Sequence, residues 1–285
     1  MNLINILKIT CLTILLAALR FPAVAQEPFM DETVIISTSL GEIQLKLYKD
    51  TPLHSNNFIK LAEQGFFDST LFHRVIEGFM IQGGDPDSKH AQPGVELGNG
   101  GPGYDIPAEI LPNHIHIRGA LAAAREDDKV NPKRLSSGSQ FYIVQGKQYS
   151  DPELDMVVKK QNSLAKQQIF VTIMDRPENI TLRNDFFSAD AKVDSVHFKF
   201  LLDTLNGMID KEFALQTPYT IPAEKRAIYK TTGGAPHLDG HYTIFGEVIK
   251  GMEVVDKIAA VKRDKNDRPL EDISMKVTIL KPKTN

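Results

Sequence analysis

The sequence predicts a mainly β protein, a closed or sandwiched antiparallel β-domain interrupted by an α-helical insertion. Three observations carry this. Short apolar or alternating runs recur from 33 to 145 and again from 242 to 280, the pattern of many short strands. Only two small helical patterns accompany them. Residues 147–231 contain no convincing strand run and instead show apolar residues at helical spacing.

The first residues stand apart. Lys8 precedes an apolar stretch from Ile9 to Leu19, and Ala23-Val24-Ala25 has the small-x-small form of a cleavage site. Residues 1–25 therefore read as a secretory signal peptide. The stretch is short of the ~20 residues a membrane span needs, and no later segment approaches that length. The expected mature chain is exported, with the periplasm as its compartment and no stable membrane insertion after cleavage. Cys11, the single cysteine, falls inside the peptide. That excludes a disulfide framework, thiolate catalysis and a Cys-based zinc site in the mature chain. The full chain carries a formal net charge of −3, and loss of Lys8 and Arg20 takes it to about −5. A mildly acidic chain without basic blocks argues against nucleic acid as a partner.

The elements follow in order. TVIISTSLGEIQLKLY (33–48) reads as a hairpin, with Ile43, Leu45 and Leu47 alternating with Glu42, Gln44 and Lys46. Thr51-Pro52 reads as a helix start, and Leu53, Phe58, Leu61 and Ala62 form its apolar stripe up to Gly65. Strands are expected at 71–76 and 79–83. Residues 84–113 are a loop dense in Gly and Pro. GNGGPG (98–103) matches G-x-G-x-x-G, but no strand-turn-helix unit surrounds it, so it reads as a tight surface loop. GALAAAR (119–125), SQFYIVQ (139–145) and YTIFGEVI (242–249) read as strands. Met252, Val254, Val255, Ile258 and Ala259 form a short amphipathic helix, and ISMKVTIL (273–280) a closing strand. Within the insertion, Ser150-Asp151-Pro152-Glu153 starts one helix and Thr220 and Pro222 another. Phe198, Leu201, Leu202, Leu205, Met208, Ile209 and Phe213 give a long apolar stripe, expected to pack on itself or on the β-domain.

No nucleophile elbow, metal cluster or acid/base carboxylate pair is evident. His114-x-His116 has no third ligand nearby and reads as an exposed strand edge. What remains is FHRVIEGFMIQGGDP (72–86), which places Arg74 and Gln82 among apolar residues. Met80 and Gln82 are two apart and would share a strand face. An arginine, an amide and an apolar slot suit prolyl cis/trans isomerisation, whose barrier of ~18–20 kcal/mol comes from amide resonance. A donor aimed at the proline nitrogen favours the twisted state, in which the nitrogen lone pair localises, over the planar one. The other reading of Arg74 is a structural strand arginine paired with a carboxylate.

FHRVIEGFMIQGGDP resembles the signature of the cyclophilin family of peptidyl-prolyl isomerases. GNGGPGY (98–104), GALAAAR (119–125), GSQFYI (138–143) and LDGHYTIFGEV (238–248) continue the resemblance in family order. It implies a closed eight-stranded antiparallel barrel with two capping helices, formed by 26–146 and 232–285, with 147–231 as an added helical insertion. It implies that Arg74 donates to the proline nitrogen and that Gln82 orients it. Phe79, Met80, Tyr142 and Leu238 would line the proline pocket, with Tyr242 at its rim. Ala124, Arg125 and Gln140 would hold the residues before proline, largely through backbone contacts, and His73 would flank the arginine. No cofactor or metal is implied.

The chain departs from the common family pattern in places. Tyr142 replaces a usual phenylalanine, Tyr242 a frequent histidine, and Ala123 a frequent methionine. His237 stands where cyclosporin-sensitive members carry tryptophan, so weak cyclosporin binding is expected. The expected partners are proline-containing peptides and unfolded or folding exported proteins. The expected function is faster X-Pro isomerisation during folding of exported proteins. The alternative is a proline-segment-binding chaperone that uses the insertion as its client arm.

Overall fold

The computed structural model describes residues 33–280; the predicted signal peptide lies outside them. β1 (Thr33–Thr38) and β2 (Gly41–Leu47) form the expected hairpin, followed by α1 (Pro52–Glu63), β3 (Arg74–Ile76) and β4 (Met80–Gly83). β5 (Asp105–Ile106), β6 (Ala120–Ala123), β7 (Ser136–Ser137) and β8 (Phe141–Val144) come next. Four helices then intervene: α2 (Asp151–Asp175), α3 (Ile180–Ser188), α4 (Ser195–Phe213) and α5 (Ala223–Thr231). β9 (Ile244–Lys250), α6 (Met252–Ala259) and β10 (Met275–Leu280) complete the described chain. Eight strands make one antiparallel sheet in the order β10-β1-β2-β9-β6-β8-β4-β3, and β5 pairs with β7.

The closed barrel implied by the resemblance is corrected to an open, curled sheet. No ladder joins its edge strands β3 and β10. The two ends meet at one isolated bridge, Leu71 to Ser274, beside backbone bonds from Phe72 N–H to Ile273 O and from Met275 N–H to Thr70 O, 2.9 Å each. The cause is local. The outer edge of β3 is already used by the 263–267 loop, where Val75 N–H donates to Asp267 O at 2.9 Å and the Arg263 guanidinium donates to Val75 O at 3.0 Å.

Strand alternation divides the sheet into two faces. One buries Ile43, Leu45, Val75, Ile81, Leu121, Phe141, Ile143 and Phe245 in the main core. α1 adds Phe58, Leu61 and Ala62 to that core, and α6 adds Val254, Val255, Ile258 and Ala259. Leu53, expected in the α1 stripe, is 50% exposed, because it sits in the first turn, where Glu109 caps the backbone N–H of Leu53 and His54. The opposite face carries a smaller cluster of Met80, Ala120, Ala122, Tyr142, Val144, Ala235 and Ile244.

The helical stretch 147–231 packs mainly on itself. Leu201, Leu205 and Ile209 of α4 bury against Ile169, Ile173 and Met174 of α2. Each such side chain is worth roughly 1.5–3 kcal/mol of transfer. Leu202, read into the same stripe, is 37% exposed. At the base, Leu154, Ile221 and Tyr229 pack with Ile115, Ile117 and Tyr149.

The chain enters the helical stretch and returns from it at one tight point. Gly234 bridges both Ile117 and Lys147. Gly146 has φ +65, and a Cβ there would overlap the backbone of Gly234. Gly146→Ala combines a left-handed backbone with a backbone clash and should cost about 2–4 kcal/mol. Urea unfolding checks this, and an unchanged midpoint would refute it.

Candidate active site

One cross-strand row sets the site. Arg74 of β3 pairs with Gln82 of β4, Gln82 with Tyr142 of β8, Tyr142 with Ala122 of β6, and Ala122 with Ile244 of β9. Opposite residues in neighbouring strands share a face, so the arginine, the amide and the phenol stand side by side on the small-cluster face. Met80, two residues from Gln82, belongs to that face too. Above it runs an open groove of about 1390 Å³. Its walls are the 95–105 loop, the 126–137 loop and the turn bearing Leu238 and Tyr242. The glycines of 98–103 therefore form a wall of the groove.

At the polar end a chain of side chains fixes the arginine. Arg74 donates to Gln82 Oε1 at 3.4 Å, and Gln82 Nε2 donates to Gln140 Oε1 at 3.1 Å. Gln140 Nε2 donates to the carbonyls of Gly98 and Gly100, both at 2.8 Å. The amide dipoles are thus oriented from the glycine loop inward, leaving Gln82 with its oxygen toward Arg74. A carboxylate partner for Arg74 does exist: Asp267 Oδ2 lies 3.8 Å from Nε. That pair is long and the Arg74 side chain is 43% exposed, so the guanidinium is steadied without being consumed.

His73 is buried, and neither ring nitrogen has a hydrogen-bond partner. Burial pulls its pKa down to about 4, so it stands behind Arg74 as a neutral packing group. The unfolded chain takes up this proton near pH 6.5 and the folded chain only near 4. The unfolded state therefore binds more protons between those values, and stability is lost as pH falls through that window. For a group this buried the loss is about 3 kcal/mol. Urea midpoints measured from pH 7 to pH 4 should fall less in His73→Phe than in the parent. Parallel slopes would contradict this assignment.

At the apolar end, Phe79, Met80, Tyr142, Leu238 and Tyr242 line the groove together with Ala124, Arg125 and Gln140. His237 lies against Phe79, ring centres 5.3 Å apart. Tyr242 meets Tyr142 edge-on and lies under the Arg125 guanidinium at 4.6 Å. Arg125 is turned inward: its guanidinium donates to His241 O and Glu126 O and pairs with Asp128 at 2.6 Å. Ala124 N–H donates to Gln140 O and Ala124 O accepts from Ser137 N–H. The expected backbone grip on a peptide therefore does not use the Ala124 N–H.

His116 corrects the sequence reading. It is fully buried, where an exposed strand edge was expected; His114 is half-buried too, stacked on Tyr48 with ring centres 4.4 Å apart and paired with Asp50 at 2.9 Å. Burial lowers the His116 pKa, so the ring is neutral and carries one N–H. Asp239 Oδ1, 3.0 Å from Nδ1, takes that proton's hydrogen bond, leaving Nε2 to accept from the Tyr142 hydroxyl at 2.9 Å. The Tyr229 hydroxyl donates to the other Asp239 oxygen at 2.7 Å. The hydroxyl that distinguishes Tyr142 from phenylalanine is satisfied in this way. Sequence reasoning misread His116 and missed Asp239, Tyr229 and Asp267, since their partners lie far along the chain and leave no local pattern. Among the described residues no cluster of metal-ligating side chains occurs.

An apolar slot beside one steadied arginine and one oriented amide marks the candidate site of this β-protein. Residues 33–176 and 224–279, well over half of the chain, match the family described as cyclophilin type peptidyl-prolyl cis-trans isomerase/CLD, and the chain belongs to that family of isomerases. The match passes over 177–223, inside the stretch read as an insertion. A peptidyl-prolyl cis-trans isomerase of Synechococcus elongatus is 42% identical over 124 residues, covering 43% of this chain and 73% of its own. A Streptococcus pyogenes protein provisionally named a bifunctional phosphatase/peptidyl-prolyl cis-trans isomerase is 28% identical over 263 residues. That match covers 90% of this chain but 40% of the streptococcal protein's length. The crystal structure of a Cryptosporidium parvum cyclophilin type isomerase covers 89% of this chain at a TM-score of 0.50 and 21% identity, a likeness of fold.

Proposed function

We propose that this chain accelerates cis/trans isomerisation of X-Pro bonds in exported proteins, with Arg74 as the donor to the proline nitrogen. The observation that carries this reading is the row Arg74–Gln82–Tyr142 on the groove face. The proline ring enters the slot between Phe79, Met80, Tyr142 and Leu238. As the amide twists, its nitrogen becomes pyramidal and gains a lone pair. The Arg74 guanidinium, half exposed above that slot, then finds an acceptor that the planar amide does not offer. Interaction gained only in the twisted state lowers the barrier, tenfold for each ~1.4 kcal/mol. Gln82 holds the guanidinium in place and is itself held by Gln140. No step needs a cofactor.

The export role rests on the N-terminal sequence pattern. The His237 side chain offers less area than an indole and already packs against Phe79, which supports weak cyclosporin binding. The test is direct: the protein should speed isomerisation of an X-Pro reporter peptide, and failure to do so at any peptide concentration overturns the reading. One observation favours the chaperone reading as a second activity. Phe187, Val193, Val196 and Phe200 in the insertion are 65–84% exposed. Suppression of client aggregation that survives Arg74→Ala would support it.

A further inference from the structure

The insertion reaches the proline pocket through one short segment. Pro236–Leu238 is a single 3-10 turn, and its own bonds run inward from Leu238 N–H to Ala235 O and from Asp239 N–H to Pro236 O. Its outward acceptors are taken by the insertion. Tyr219 donates its hydroxyl to Pro236 O at 2.5 Å, Gln161 Nε2 donates to His237 O at 3.1 Å, and Tyr229 donates its hydroxyl to Asp239. Tyr219 is fixed in turn by Asn162, which exchanges two hydrogen bonds with its backbone. Between these anchored residues sits Leu238, a wall of the pocket. Beyond Asp239 the bonds continue through His116 to Tyr142, the pocket's floor.

We propose that the base of the helical insertion is a clamp on the proline pocket, in which Gln161, Tyr219 and Tyr229 are positioning residues for Leu238 and Tyr142. This rests on the isomerase reading of the same groove. Without Gln161 and Tyr219, His237 O would lose its donor and Pro236 O would keep only the Asp239 N–H, so the turn would have fewer fixed neighbours. Loosening the wall weakens substrate and transition state alike, so it raises KM and leaves kcat in place.

The experiment uses the full chain carrying Gln161→Ala, Tyr219→Phe and Tyr229→Phe, singly and together. Lys166→Ala, at an exposed ion pair elsewhere in the insertion, serves as the control. The Gln161 and Tyr219 bonds to neutral carbonyls act at the ~2–10-fold level each and the Tyr229 bond to the Asp239 carboxylate at no less, so the triple variant should raise KM for an X-Pro peptide by about tenfold or more with kcat within twofold. In a Leu238→Ala background the Gln161→Ala and Tyr219→Phe changes, which act on the turn alone, should together move KM less than twofold. The Leu238 methyl resonances should shift in the triple variant and stay in place in the control. An unchanged KM overturns the clamp. So does an equal KM rise in the Leu238→Ala background, or a fall in kcat with loss of dispersion across the whole amide spectrum. If the parent itself does not accelerate the reaction, the isomerase reading fails, and the Leu238 methyl shifts still decide whether the clamp exists.

Discussion

Arg74→Ala lowers kcat/KM for an X-Pro peptide by about 10²–10³-fold, the loss typical of one preorganised donor aimed at developing charge. The guanidinium shares the groove face with the apolar slot and is held there by Gln82. Stability should change little. The side chain is 43% exposed and its ion pair with Asp267 is 3.8 Å long, and such surface pairs are worth ~0–1 kcal/mol. Arg74→Lys keeps the charge but loses the planar fork, and should recover only part of the rate. Gln82→Ala removes one support from the arginine and should cost less than Arg74→Ala. The reporter assay, with urea unfolding beside it, checks all three. An Arg74→Ala protein within threefold of the parent would return Arg74 to the structural reading.

Asp239→Ala has the largest expected effect on stability, about 3–5 kcal/mol, from the buried donors it leaves unpaired at roughly 1–3 kcal/mol each. Its carboxylate accepts from the His116 backbone N–H at 2.8 Å, from the His116 ring and from the Tyr229 hydroxyl. His116 and Tyr229 are both fully buried, so the substitution strands two buried donors and a backbone N–H at once. Asp239→Asn keeps an oxygen for His116, and the Tyr229 hydroxyl can turn to accept from the new amide. It should therefore cost about 1–2 kcal/mol. Urea midpoints at pH 7 distinguish the two, and equal losses would show that the buried donors do not depend on the carboxylate.

Much of the β-domain was legible because strand alternation and turn chemistry are local. The 72–86 segment shows why. The β3–β4 hairpin turns at Gly78, with φ +75, and this places Arg74 opposite Gln82 in register. The α4 stripe was equally plain, since Leu201, Leu205 and Ile209 all face one partner. α2 was legible only at its start, where Glu153 accepts from the Ser150 N–H and hydroxyl. Its apolar residues serve two clusters, Leu154 at the base and Ile169, Ile173 and Met174 farther along, so no single stripe runs its 25 residues. The buried relay was not legible at all. Tyr142, His116, Asp239 and Tyr229 belong to four separate segments, joined by the β6–β8 pairing and by the bridges Gly234 makes to Ile117 and Lys147. The open seam between β3 and β10 was hidden for the same reason, since it depends on the 263–267 loop taking the edge of β3.

The central claim is that Arg74 acts on the twisting amide and not on binding. Exchange spectroscopy on one X-Pro peptide, with the parent and with Arg74→Ala, separates the two. The account predicts that both proteins bind the peptide with similar affinity at the groove, while only the parent produces cis/trans exchange far faster than in free solution. Comparable exchange with both proteins, or binding by the parent with no acceleration, would contradict it.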